Sequence, residues 1–348
     1  MTRTLGWLSL SRNTEGPRFI TDEAGCPVNL FGMARCQIHT LDETRDFGDI
    51  HTLCRHYRRL GCNAIRLSFS KFRIEEPDRD FIEECGGYTP AGIRAFIEAY
   101  VEPDVRAIIE EGLYVVLDLH EYPPNDDHDD PDPMKLIDYA REHYIPVWRE
   151  LARYYRNEPG IAMYELWNEP YAADQGTLHM GDDGHIRGGR YNNFDWNRHV
   201  RQFFIDCAAA VRAEDERHML LVSDYNAGWG CGWAMTWLGH AREVDPRCRN
   251  TLFSIHAAAE HLGPRIGFFD DWWAAICREN NICIQFGEIE TEEELMTDEA
   301  MQNLVAMFRR RRDAYHYPGF LWRPHSDEEN YAFLWAAFAR EYTGMRGE

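Results

Sequence analysis

Lysine is nearly missing from this 348-residue chain. Lys71 and Lys135 are the two present, against 35 arginines, and the formal net charge is −22. Binding nucleic acid needs clustered basic side chains to neutralise phosphates, so this charge balance argues against it as a partner. The one basic run, Arg309 to Arg312, lies inside a helical pattern and reads as a solvated helix face. Long apolar runs are also absent. No stretch approaches the roughly 20 consecutive apolar residues that span a bilayer, so no membrane association is expected. The first sixteen residues lack the apolar region and small-residue cleavage site of a signal peptide. The expected location is therefore cytoplasmic, or secreted if a leader has been removed.

Close cysteine pairs are missing as well. The ten cysteines, at 26, 36, 54, 62, 85, 207, 231, 248, 277 and 283, include no CxxC and no zinc-like spacing. Several fall in apolar patterns, where reduced thiols act as small buried hydrophobes. The acidic stretch "NDDHDDPD" (125–132) lacks the ordered ligand spacing of a calcium loop and reads as a solvated segment. No HxH occurs at the first strand, which argues against a metal-dependent barrel hydrolase. No metal and no cofactor is expected.

What the chain does have is regular alternation of short apolar runs and amphipathic segments. Strands are predicted over 28–34, 63–69, 113–120, 161–167, 218–224, 251–256, 282–288 and 319–322, after a hairpin turning at "DEAG" (22–25). Helices are predicted over 49–61, 91–112, 135–157 and 195–214, with Pro103 as a break or kink. Further helices precede the last two strands, and one follows the final strand. Eight strands with helices between most of them, and no linker, point to a single (β/α)8 TIM barrel over residues 1–348. Long βα loops should follow the third and fourth strands, on the face where barrels build their sites.

Polar residues gather at the predicted strand ends. Arg66, His120, Glu169, His256 and Glu288 each follow an apolar run, and Trp322 closes the last one. In a barrel these ends converge, so Arg66 and Glu288, 222 positions apart, can meet. Two carboxylic acids at strand ends four and seven suit glycoside hydrolysis, one protonated to donate to the leaving oxygen and one ionised. Glu290 and Glu292 to Glu294 compete with Glu288 but read as a loop or helix start. Within "YELWNEP" (164–170), alternation turns Glu165, Trp167 and Glu169 inward. Glu165 falls about 13 Å before Glu169 at ~3.3 Å per residue. That depth makes it a structural carboxylate away from the catalytic face, paired with a basic or hydroxyl group. Asn168 faces inward only if the strand ends or bulges there.

The stretches "LGCNAIRLSFS", "VVLDLHEY", "YELWNEP", "LFSIH", "IQFGEIE" and "FLWRP", in that order, resemble glycoside hydrolase family 5 from about Gly32 to Trp322. The resemblance implies a retaining barrel glycosidase with Glu169 as acid/base and Glu288 as nucleophile. Asn168 would bind the substrate 2-hydroxyl and Arg66 would hold Glu288 anionic. His120 and His256 would line the subsite around the scissile bond, with Trp322 as a sugar platform. The family's tyrosine two residues after the sixth-strand histidine is replaced by Ala258, and Tyr225 is the candidate substitute hydroxyl.

Eleven tryptophans invite a search for sugar-stacking surfaces. Trp229 lies in a Gly-rich stretch as a subsite wall, whereas Trp233 and Trp237 at a spacing of four read as a buried helical face. Trp196 and Tyr122 are weaker candidates. The leading expectation is a retaining β-glycosidase acting on β-linked gluco- or manno-configured oligosaccharides or glycosides, with carbohydrate as the partner. The alternatives are a transglycosylase using the same covalent intermediate, or a catalytically weak carbohydrate-binding barrel. The oligomeric state is not legible.

Overall fold

The computed structural model describes residues 4–36, 49–72, 76, 79–120, 133–168, 170, 179–180, 186–187, 193–223, 241–246, 250–258, 266–290 and 319–321, with short pieces between 299 and 310. Two short strands, β1 (Ser9–Leu10) and β2 (Ile20–Thr21), pair antiparallel ahead of the barrel. The barrel strands follow as β3 (Phe31–Cys36), β4 (Ala64–Phe69), β5 (Tyr114–Leu119) and β6 (Ile161–Glu165). After a small antiparallel pair, β7 (His179–Met180) and β8 (Ile186–Arg187), come β9 (Met219–Ser223), β10 (Thr251–Ala258), β11 (Ile284–Glu290) and β12 (Gly319–Leu321). Strands β3 to β6 and β9 to β12 pair in parallel and close into an eight-stranded barrel in chain order. Helices Ile50–Arg59, Glu102–Glu110, Pro133–Tyr155, Asn193–Arg212 and Ile266–Asn280 run between strands. This is the (β/α)8 barrel expected from the alternation.

Burial on both faces explains why the strands read as continuous apolar runs: every residue of β4 and of β5 is buried. One set of side chains packs outward on the helices, among them Leu67, Val115, Tyr164 and Phe286. The other fills the barrel, including Val116, Met163, Leu221, Leu252 and Phe320. The N-terminal segment joins this inner set through Leu5, Leu8, Leu10 and Ile20. It is tied to the amino ends of the barrel strands by Gly6 N donating to Tyr114 Oη at 3.2 Å and Arg18 N to the Ile282 carbonyl at 3.0 Å. One end of the barrel is therefore apolar and plugged, which leaves the carboxyl end for polar chemistry. The "DEAG" turn forms as expected, with Gly25 N donating to the Asp22 carbonyl at 3.0 Å.

Several elements differ from the sequence reading; the first barrel strand, for instance, begins at Phe31 and not at 28. Pro103 distorts its helix, within the break or kink expected, but does not end it. Pro90–Phe96 runs into a π-helical turn, Ile97–Val101, and continues as Glu102–Glu110. A proline offers no N–H and crowds the carbonyl four residues back, and widening the preceding turn accommodates both. The fourth strand ends at Glu165, two residues early. The region after it, read as irregular, contains β7 and β8. Each of the seven cysteines with a described side chain, Cys26, Cys54, Cys62, Cys85, Cys207, Cys277 and Cys283, is a free thiol. Among the described residues no helix is long and apolar enough to cross a membrane.

Gly32 marks the tightest strand approach. A Cβ there would lie 1.9 Å from the Ala64 carbonyl oxygen, a backbone atom that cannot step aside. Gly32→Ala is expected to lower the urea midpoint by the equivalent of about 1–3 kcal/mol. An unchanged midpoint would contradict this packing.

Candidate active site

The stretch "YELWNEP" does not alternate through its length. Tyr164 points outward and donates from its hydroxyl to Asp215 Oδ2 at 2.9 Å, while Glu165 points into the barrel. Beyond Glu165 the strand is over. The Leu166 carbonyl, free of the ladder, accepts from Trp148 Nε1 at 2.7 Å. Trp167, expected inward, instead packs edge-on against Tyr144 and Phe203 of the helices, with ring centroids at 5.5 and 5.1 Å. Ending the strand at Glu165 releases the next residues from alternation, so Asn168 swings back inside.

A bulge does the same at the seventh strand. Ile255 of β10 pairs with Phe286 of β11, but the next residue, His256, pairs with Glu288, skipping Gly287. A Cβ at Gly287 would lie 2.1 Å from Ser254 Oγ and 2.7 Å from His256 Nε2, so a side chain at this position would collide with both. The skipped residue keeps Glu288 facing the barrel axis while Phe286 and Ile289 pack outward.

Arg66 of β4 is the centre of the resulting cluster. Its Nε donates to Glu165 Oε2 at 2.6 Å, its Nη1 to Glu288 Oε1 at 2.6 Å and its Nη2 to Asn168 Oδ1 at 2.8 Å. Nη2 also lies 3.0 Å from Asp118 Oδ2. Only a planar fork of donors can address four acceptors in this way, which explains arginine here in place of lysine. Asp118 Oδ2 accepts in addition from Ser68 Oγ at 2.6 Å and from His120 Nδ1 at 2.9 Å. A carboxylate only accepts, so the His120 proton sits on Nδ1. Its Nε2 then accepts from Asn168 Nδ2 at 3.4 Å. His256 faces both sides: Nδ1 is 3.4 Å from Glu288 Oε2, and Nε2 is 4.0 Å from Glu165 Oε1. Ser223 Oγ donates to that same Glu165 oxygen at 3.1 Å.

Three carboxylates thus surround one guanidinium, away from bulk solvent. Arg66, Asp118 and Glu165 have 0% exposure, and Glu288 has 5%. Burial alone would lower the Arg66 value, but Asp118, Glu165 and Glu288 outweigh it and hold the guanidinium charged, well above its ordinary range. For Glu165, burial favours the neutral acid, but the Arg66 charge and His256 outweigh it. Its carboxyl is held below the usual carboxylate range.

Five of the anticipated site residues, Arg66, His120, Asn168, His256 and Glu288, therefore share one buried cluster, the last four from the carboxyl halves or ends of β5, β6, β10 and β11 and Arg66 from the middle of β4. Glu169, Tyr225, Trp229 and Trp322 lie outside the described residues, as do Tyr122 and the 125–132 stretch. Ala258 closes β10, paired with Glu290. Glu165 departs from expectation. It is paired with a basic group and a hydroxyl, as expected, but it is not remote from the catalytic face, because Arg66 touches it and Glu288 together. Asp118, Ser68 and Ser223 join the cluster without a counterpart in the sequence reading. The signal for Asp118 is present in "VVLDLH", where an aspartate two residues before His120 shares its face of the strand. Among the described residues no group of acidic, histidine and cysteine side chains could hold a metal ion.

A parallel eight-stranded barrel with a buried carboxylate–guanidinium cluster at its carboxyl face defines a TIM-barrel enzyme. The family is narrower. The model of "Cellulase (glycosyl hydrolase family 5)" matches residues 21–322, and the chain belongs to that family of glycoside hydrolases. It is 24% identical over 265 residues to a β-xylosidase of Phanerodontia chrysosporium, covering 72% of this chain and 46% of that one. The chain thus spans less than half the length of that curated relative. Among solved structures it is similar to an endocellulase from Pyrococcus horikoshii in complex with cellotetraose (TM-score 0.62, 15% identity, 97% of this chain and 100% of that one). It is also similar to a β-glucanase from Saccharophagus degradans (TM-score 0.61, 15% identity, 97% and 94%).

Proposed function

We propose that this glycoside hydrolase cleaves β-linked gluco- or manno-configured oligosaccharides or glycosides by double displacement, with Glu288 as nucleophile and Glu169 as acid/base. The observation that carries this reading is the shared guanidinium. Arg66 donates to Glu288 and, through a second nitrogen, to Asn168, the residue immediately before Glu169. One rigid group thereby fixes the carboxylate of the seventh strand relative to the chain that carries the fourth-strand glutamate.

The geometry around Glu288 and Asn168 supports these roles. Glu288 is ordered on both oxygens, by Arg66 and by His256, and one oxygen must turn toward an anomeric carbon in attack. Asn168 has its amide orientation fixed by donating to His120 and accepting from Arg66, which leaves its remaining N–H for a substrate hydroxyl. Glu169 would protonate the leaving oxygen and then activate water for the second step. The names of the similar proteins, a β-glucanase, an endocellulase and a β-xylosidase, agree with a β-linked sugar, and xylose-configured substrates join the set to be tried.

A panel of aryl β-glucosides, mannosides and xylosides with matching oligosaccharides tests this, with the first product anomer read by proton NMR. Retention of configuration on at least one substrate is expected. Inversion would rule out double displacement.

A further inference from the structure

We propose that Glu165 is a positioning residue that holds the Glu288 carboxylate in its reactive orientation by acting on both of its neighbours at once. This rests on the functional reading above, which makes Glu288 the reacting group. The geometry is a ring. Glu165 Oε2 accepts from Arg66 Nε at 2.6 Å, and Arg66 Nη1 donates to Glu288 Oε1 at 2.6 Å. Glu288 Oε2 faces His256 Nδ1 at 3.4 Å, and His256 Nε2 returns to Glu165 Oε1 at 4.0 Å. The two carboxylates sit opposite each other; Arg66 bonds both, and His256 lies between them on the other side, nearer Glu288.

The ring makes Glu165 more than a counter-charge for a buried arginine. Asp118 already lies 3.0 Å from Arg66 Nη2 and supplies a counter-charge of its own. Asp118 meets the guanidinium at Nη2, whereas Glu165 meets it at Nε, the nitrogen nearest the side-chain stem. Holding both nitrogens fixes rotation of the guanidinium plane, and with that plane fixed Nη1 points at Glu288. On the other side, Ser223 Oγ holds Glu165 Oε1 at 3.1 Å, on the same side as His256 Nε2. At 4.0 Å His256 Nε2 is beyond hydrogen-bond reach of Glu165 Oε1, so the Glu165 charge acts on the imidazole through space, on the side away from Glu288. Strands β4, β6, β9, β10 and β11 each contribute one member of this arrangement. Among the described residues, the charged and titratable groups around it are Arg66, Asp118, His120, Glu165, His256 and Glu288.

Two variants test the role, Glu165→Gln and Ser223→Ala, beside Glu288→Ala as reference. The glutamine side chain keeps the volume and an acceptor for Arg66 Nε but removes the charge. A misaligned reacting group costs about ten- to a hundred-fold. Glu165→Gln is therefore expected to lower kcat by that amount with KM nearly unchanged. Removing one of several clustered negative charges also makes the remaining carboxylates easier to ionise, so the acid limb of kcat/KM should move to lower pH. Ser223→Ala, which leaves every charge in place, should cost a few-fold in kcat alone. A structural role would lower the melting temperature and leave the kcat–KM split and the acid limb where they are in the wild type.

If Glu165→Gln does not fold, Ser223→Ala decides. Wild-type kcat, KM and acid limb in every folded variant, with Glu288→Ala inactive, overturns the positioning role and leaves the function intact. Turnover by Glu288→Ala at the wild-type rate would overturn the function itself.

Discussion

Replacing Arg66 with methionine is expected to lower the stability of the fold by about 3–5 kcal/mol, the cost of removing one partner from a buried charge cluster. The change leaves Asp118, Glu165 and Glu288 buried, with His120 and His256 as the neighbours that could carry positive charge. The pH dependence should also reverse. In the wild type the Glu165 carboxyl is held below its ordinary value of 4.5. Its contribution to stability is therefore complete above that value and lost as pH falls through the lowered one. In the variant the guanidinium is gone, and burial is left to raise the Glu165 carboxyl instead. Groups with raised values contribute stability at low pH and lose it as pH rises. The gap between the two proteins should widen from about pH 4 to about pH 8, as measured by urea midpoints across that range. A gap independent of pH would mean the carboxylates do not depend on Arg66. Arg66→Lys should restore little, because an ammonium is a point donor and cannot span Glu165, Glu288 and Asn168.

The second large effect is on turnover. Glu288→Ala should reduce kcat on the order of 10⁴-fold, as loss of a nucleophile that acts as part of a unit does. Stability should not follow. Removing one of three carboxylates leaves Arg66 bonded to Glu165 and Asn168 with Asp118 alongside, and it relieves repulsion among like charges. The melting temperature is expected to hold or rise, as at other sites where function comes at the expense of stability. Inactivity together with a large fall in melting temperature would instead make Glu288 a structural member of the cluster.

How far the sequence carries is visible at particular residues. His120, His256 and Glu288 follow largely apolar runs and Arg66 lies within one, and a barrel brings those strands together, so that the four are neighbours follows from topology. Asn168 and Glu288 face inward for reasons that alternation does not contain. One requires the strand to stop at Glu165, and the other requires a bulge that only Gly287 fits. Trp167 departs from expectation for the same cause, since a period of two does not extend past the strand's end. Counting distance along its own backbone places Glu165 too far from the chemistry. An arginine side chain from another strand spans that distance. Pro103 shows the complementary case, in which a strong local rule is absorbed by a π turn and leaves the helix running.

Glu288 is proposed to attack the sugar from a carboxylate held by Arg66 and His256. Incubation with 2-deoxy-2-fluoro β-glycosides carrying a good leaving group should trap the covalent intermediate. Peptide mass spectrometry of the inactivated enzyme should then find one sugar, attached to Glu288. A label on Glu165, Glu169 or any other residue, or inactivation without a covalent sugar, would contradict it.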